Sequence, residues 1–394
     1  MPQVNPQILQ WARETAELSL DEAARKIGLA TSRASSREEK LLQLERGDTE
    51  PTQVRLMKMA DVYHRPLITF YMAEPPVKDE RGGDFRKLPP DFSREQNALL
   101  DALLRDIKAR QEMVRELMED EDEALPLEYV GSLSRKNEVQ EVAEAIKERL
   151  DLSLEELRRC RNKEAVFKLL RERAESIGVF VLLMGDLGSH HTDIGTDVFR
   201  GFAIADTVAP FIVINDNDSQ GAWSFTLLHE LAHLWIGEEG VSNSSAWADS
   251  QIEKFCNNVA GEILLPDKQL HGVNVNASME VKAIAHVING VSGTTKLSHT
   301  LIAYNLYRVG KIDLRQYQEL SREYRRLWSN NKQGQQRSGG GPNYYVVKRH
   351  RIGAAMTNLI GRMLKGGAVT PTKAAKILGV KAHSVNQLVG GAKG

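Results

Sequence analysis

Two histidines and a glutamate stand in the order His-Glu-x-x-His within "FTLLHELAHLWIG", Phe225 to Gly237. Residues four apart on a helix share a face, so His229 and His233 can offer imidazoles to one metal ion with Glu230 beside them. This is the spacing of zinc peptidases. In that chemistry the metal lowers the pKa of a water molecule, and the glutamate accepts the proton as the water attacks a peptide carbonyl, then passes it to the leaving amine. The flanking residues Leu227, Leu228, Leu231, Ala232, Leu234 and Trp235 are apolar, so most faces of this helix are expected to be buried. A lone glutamate there would cost several kcal/mol, and a metal supplies its missing partner.

A catalytic metal needs a third protein ligand and one open position. The metzincin solution, a histidine six residues past His233, is absent because Glu239 stands there. The stretch "SQIEKFCNNVAGEILLP" is the better source, since Ile252, Cys256, Val259, Ala260, Ile263 and Leu264 form an apolar stripe. At about 100° per residue Glu253 projects into that stripe, between Ala260 and Leu264, whereas Glu262 falls at its opposite margin. A carboxylate inside an apolar face needs a partner, which makes Glu253 the third ligand. Asn257 and Cys256 lie within one turn of it and are candidates to support the ligands from behind, although a small buried packing residue is the simpler reading of Cys256. His190, His191, His299 and Tyr304 could each stabilise an oxyanion on the substrate, and spacing does not choose among them. A ligand set of two histidines and a glutamate accepts Zn2+ or Mn2+.

The elements that must carry these residues read as α+β, predominantly α. A chain of 394 residues exceeds the usual size of one core, so several domains are expected. Residues 1–75 read as a bundle of short helices and residues 76–92, rich in proline, glycine and charge, as a linker. Residues 93–176 read as a helical connecting region that opens with one long amphipathic helix. After Gly178 the period changes, and "VFVLLMG", "FRGFAIAD" and "FIVIN" read as the strands of a short β-sheet in a zincin-like domain over residues 177–330. Residues 331–342 read as a flexible linker and residues 343–394 as a basic helical module. Formal net charge is −1, and the two cysteines, Cys160 and Cys256, are too few for a disulfide framework. The start lacks a basic segment followed by an apolar core, and no run has membrane-spanning length, so a cytoplasmic protein without membrane contact is expected.

The run "PFIVINDNDSQGAWSFTLLHELAHL" followed by "IEKFCNNVAGEILLP" resembles the ImmA/IrrE metallopeptidase family over roughly residues 178–328. The resemblance implies a gluzincin-like zinc site whose third ligand is a glutamate in a Glu-x-x-x-Asn-x-x-Ala context, which falls on Glu253, Asn257 and Ala260. It also implies a role in which a repressor controlling mobile-element or stress genes is cleaved or otherwise inactivated. "ILQWARETAELSLDEAARKIGL" and "LLQLERGDTEPTQVRLMKMADVYHRPL" resemble the parts of a lambda-repressor-like (XRE-type) helix-turn-helix domain. Here "ATSRASSREEK" lengthens the turn before the recognition helix and loads it with Glu38 and Glu39, which would repel phosphate. Protein interaction and DNA reading are thus equally expected of this segment.

From Asn331 to Gly394 there are eleven Lys or Arg residues and neither Asp nor Glu. Within that stretch "TPTKAAKILGVKAHSVNQLV" resembles a second helix-turn-helix. Lys373, Lys376, Lys381, His383, Ser384, Asn386 and Gln387 are the expected DNA-facing residues; a basic helix pair that packs on the peptidase is the competing reading. The sequence therefore points to a zinc endopeptidase, with Glu230 as base and then acid, acting on a repressor or antitoxin-like protein and reaching DNA through its flanking modules. The rival is a DNA-binding transcription regulator whose metal site is structural or sensory, and half of a toxin and antitoxin pair is a third reading. Monomer and homo-oligomer are both left open.

Overall fold

The computed structural model describes residues 4–32, 35–76, 93–238, 241–242, 251–335 and 343–390. The predicted linker at 76–92 and Glu239 lie, but for Pro76, outside the described residues. The chain divides into two compact units, Met1–Ile107 with Asp186–Ile194, and Lys108–Gly185 with Gly195–Gly394.

The first unit begins with α1 (Pro6–Thr15), α2 (Leu20–Ile27), α3 (Arg37–Arg46) and α4 (Gln53–Val62), followed by a single 3-10 turn over Leu67–Tyr71. Local chemistry sets each boundary. Asn5 caps α1 with Pro6 at its first position, and Ser19 with Glu22 and Ser36 with Glu39 form reciprocal capping boxes on α2 and α3. Ile8, Leu9, Leu41, Leu56, Met59 and Phe70 fill the core. Arg13 makes a two-pronged pair with Glu45 at 2.7 and 3.0 Å, which ties α1 to α3. Glu38 and Glu39 are exposed at the start of α3, and Glu39 is engaged in capping Ser36.

The helix α5 (Arg94–Asp120) is followed in the second unit by α6 (Val139–Arg149), α7 (Leu154–Arg159) and α8 (Lys163–Ser176). The strands β1 (Phe180–Leu183), β2 (Gly201–Ile204) and β3 (Phe211–Ile214) then precede α9 (Gln220–Ile236), β4 (Val241–Ser242) and α10 (Gln251–Leu264). The sheet order is β1-β3-β2-β4; β1 runs parallel to β3 and the other pairs are antiparallel. Every residue of β1, β2 and β3 is buried, so these strands read as continuous apolar runs, because helices cover the sheet. Beyond them come α11 (Asp267–His271), α12 (Val281–Thr295), α13 (His299–Arg308) and α14 (Leu314–Gln335). Helix α14 runs past the start of the predicted linker at 331–342, because residues 329–333 contain no glycine or proline to stop it; residues 336–342 are outside the described residues. The fold class is α+β and mostly helical.

The chain closes with α15 (Tyr344–Ile352), α16 (Ala354–Gly366), α17 (Pro371–Leu378) and α18 (Val385–Val389). These helices pack on the sheet side of the second unit through a buried ion pair. Arg171 and Glu175, one turn apart on α8, pair at 3.0 Å. The Arg171 guanidinium donates to the backbone carbonyls of His350 and Arg351 on α15 and of Val181 on β1. Glu175 accepts from the backbone N–H groups of Ala354 and Ala355 at 3.1 and 3.2 Å, the free donors at the start of α16. Gly353 joins the two helices at φ 91°, where a Cβ would collide with Glu175 and Arg171. Burial pushes the Glu175 carboxyl upward against the pull of Arg171, so the pair holds only while it is complete. Replacing Arg171 by Met is expected to cost roughly 3–5 kcal/mol in urea unfolding, since it strands a buried carboxylate, and adding Glu175→Gln should recover part of that loss.

Candidate metal centre

Helix α9 is buried on nearly every face, which places it at the middle of the unit rather than on its surface. Its C-terminal carbonyls are satisfied from outside the helix: the N–H of Gly131 donates to Leu234 at 2.9 Å and that of Leu133 to Trp235 at 3.0 Å. Gly237 then ends the helix at φ 67°, its Cα so close to Gly131 that a Cβ would stand 2.9 Å from that residue's Cα. The Tyr129 ring stacks on Trp235 at 4.4 Å. The C-terminal end of the residue run that matters is thus fixed by contacts with residues 129–133.

On this helix the Nε2 atoms of His229 and His233 face each other at 3.1 Å. From α10, packed alongside, the Glu253 carboxylate spans both: Oε2 lies 3.2 Å from His229 Nε2 and Oε1 3.1 Å from His233 Nε2. Among the described residues these three form the one His/Cys/Asp/Glu group able to hold a metal ion. Their relative exposures are 2, 0 and 8 %, and Glu230 between the two histidines is at 0 %, so the cluster is buried. Donor atoms 3.1–3.2 Å apart are close to the roughly 3.3 Å that separates ligands on a tetrahedral ion with bonds of about 2.0 Å. The residues therefore fit a divalent cation.

The electrostatics favour a positive charge at the same point. Burial alone would lower the His233 pKa, but Cys256, Glu253 and Glu230 outweigh it and hold the imidazole well above its ordinary value. Burial likewise works to raise Glu253, and His229 and His233 overcome it and hold the carboxyl below the usual carboxylate range. Asn257, one turn after Glu253, accepts from His229 Nδ1 at 3.0 Å, which leaves the Nε2 lone pair aimed into the cluster. Cys256 is buried beside His233, and burial raises its pKa against the pull of that imidazole.

Residues 182–287 match the model of a peptidase family described as the IrrE N-terminal-like domain. This segment is an ImmA/IrrE-family metallopeptidase domain. The match takes in His229, Glu230, His233, Glu253 and Asn257 and ends inside α12, so α1–α8 and α13–α18 lie outside the IrrE-type segment. No curated protein and no solved structure is significantly similar to the chain.

Of the residues considered for oxyanion stabilisation near the IrrE-type site, Tyr304 is linked to the cluster through Phe225. Its ring meets Phe225 at 6.2 Å, and Phe225 meets His229 at 6.3 Å, while its hydroxyl donates to Asn258 at 3.1 Å. His299 stacks instead on Tyr324 at 5.0 Å. His191 sits exposed in a 3-10 turn of the other compact unit, and the side chain of His190 is outside the described residues. At the C-terminal end Lys376, Lys381, His383, Asn386 and Gln387 are exposed and Lys373 is half-buried. Ser384 is a correction to the sequence reading: it is buried, because the 3-10 turn Ala382–Ser384 changes the phase before α18 and turns it into the module's core. Gly201, which sequence reasoning passed over, lies against Glu230; a glycine opening an apolar strand was the available signal of a close approach.

Removing the Asn257 side chain leaves His229 free to turn, so Asn257→Ala is expected to weaken metal affinity about ten- to hundredfold, read by competition with a chelating dye. Because protons occupy the metal-free cluster, uptake of a divalent ion should release protons near pH 7 and metal affinity should fall as pH falls. Calorimetry in buffers of different ionisation enthalpy measures this.

Proposed function

We propose that the chain is a zinc-dependent endopeptidase that regulates transcription by cleaving or inactivating a repressor or antitoxin-like protein. The observation that carries this reading is the His229, His233 and Glu253 cluster with Glu230, a carboxylate that metal binding alone does not need, buried between the two histidines. Those three residues would hold the ion, Zn2+ first and Mn2+ as the alternative the donor set accepts, and the ion supplies Lewis acidity at the substrate carbonyl.

The chain's own groups do the rest. Glu230 accepts the proton of the attacking water and later delivers it to the leaving amine nitrogen. Asn257 keeps His229 in the tautomer that points its free nitrogen inward, and Glu253 spreads one negative charge over both imidazoles. The apolar walls of α9 and α10 exclude bulk water, which strengthens each of these interactions.

DNA is the proposed second partner, through the exposed basic and amide side chains of α17 and α18, supported by a stretch from residue 343 to 390 that contains no Asp or Glu. The competing reading is a DNA-binding regulator that uses the metal only to hold its fold. It draws on the same burial, since structural metal sites are closed. The Glu230→Gln variant separates the two readings. It should keep its metal, lose proteolysis by at least about a thousandfold, and hold its uncut protein substrate on an affinity column. Unchanged regulation by Glu230→Gln, with loss on replacing Lys373, Lys376 and Lys381, would establish the regulator instead.

A further inference from the structure

Gly201 opens β2, and its φ lies outside the left-handed region, so backbone conformation is not what requires a glycine there. Space requires it. A methyl built on its Cα would stand 2.6 Å from Thr226 Cγ2, 2.8 Å from Glu230 Oε1 and 3.1 Å from the carbonyl oxygen of Val213, where an unstrained contact needs about 3.5 Å. The strand has no room to give way, because residue 201 is paired on both sides, with Ile214 of β3 and with Ser242 of β4. On the other side Thr226 and Glu230 are both buried on α9. The Glu230 carboxylate therefore rests on the bare Cα of the strand.

We propose that Gly201 is a positioning residue for Glu230, the absent side chain forming the seat that fixes where the carboxylate stands relative to the metal cluster. Its catalytic meaning rests on the reading of Glu230 as the proton carrier; the seat itself does not. A carboxylate that must meet a water proton at about 2.6–3.2 Å tolerates little displacement, and an error near 1 Å costs on the order of a hundredfold in rate. With a methyl at residue 201, Glu230 must retreat from β2 by a substantial part of that distance, while His229, His233 and Glu253, none of which is among the three atoms nearest the added methyl, should keep their places.

The test is a double-mutant cycle between Gly201→Ala and Glu230→Ala in the metal-loaded full chain, read by thermal unfolding and by the visible spectrum of the cobalt(II) form. Gly201→Ala should lower Tm and shift the cobalt bands in the wild-type background. In the Glu230→Ala background, where the seat is empty, it should lower Tm by several degrees less and leave the bands in place, with about one metal bound per chain throughout. Thr226→Ser removes the other methyl in the way and keeps the Gly201→Ala protein foldable for the comparison. Equal Tm losses in both backgrounds, or failure of Gly201→Ala to fold in both, overturns the proposal, since Thr226 and the backbone alone would then demand the glycine. The outcome is independent of the peptidase reading, which stands or falls on proteolysis by Glu230→Gln.

Discussion

The second unit is organised around one costly arrangement: two carboxylates and two imidazoles held inside apolar packing. Glu230 and Glu253 in such surroundings would each lose the hydration that stabilises a charged carboxylate, and only a compensating positive charge at close range makes the arrangement tenable. Other features follow from that requirement. Helix α9 is buried on nearly every face because α6, α8, α10 and the sheet all pack against it. Its carbonyl end is satisfied by the loop at Gly131 and Leu133 instead of by solvent. The three strands are apolar on both faces for the same reason. The site is a buried pocket of negative and polar groups suited to a cation.

A second buried charge does architectural work. Arg171 gathers three backbone carbonyls and Glu175 two backbone N–H groups, so five main-chain groups of β1, α15 and α16 find partners in one side-chain pair. Arg351 adds a bridge at 2.6 Å to Asp216, in the turn between β3 and α9. The C-terminal helices are thereby tied to the strand at one edge of the sheet and to the segment that introduces the metal-binding helix. They belong to the same compact unit as the metal cluster.

Much of this was legible in the sequence where a residue contradicted its local pattern. Glu253 inside an apolar stripe announced a partner, and His229 and His233 at helical spacing within an apolar run announced a metal, because burial of an unmatched polar group is a local misfit that periodicity exposes. The long helix from Arg94 was legible from its helical period, and the strands after Gly178 from short, continuous apolar runs. Arg171 and Glu175 gave no such sign: at a spacing of four on an amphipathic helix they read as an ordinary solvated pair, and only the chain's return at residues 350–355 buries them. Gly201 was silent because its meaning lies in an atom that is missing and in a neighbour on another element. Ser384 was misread because facing was extrapolated at helical phase through a stretch that is a 3-10 turn.

Counting charge in sequence also overstates what the C-terminal module can offer a polyanion. Its basic surplus includes Arg349, whose guanidinium donates to the carbonyls of Gln387 and Leu388 and so closes the end of α18. Arg351 is committed to Asp216, and Arg362 is bridged to Glu123. These arginines are largely structural, spent on joining the module to itself and to the peptidase body, and the last is an exposed pair of small energetic weight. Among the described residues, what faces outward besides Arg362 is a smaller set of lysines, Lys365, Lys376 and Lys381, with His383 and the amides of Asn386 and Gln387. Lysines act on phosphate as point charges, without the forked geometry by which arginine reads a guanine edge. On the proposal that DNA is a partner, such a surface would follow a phosphate backbone, and sequence discrimination would have to come from the two amides.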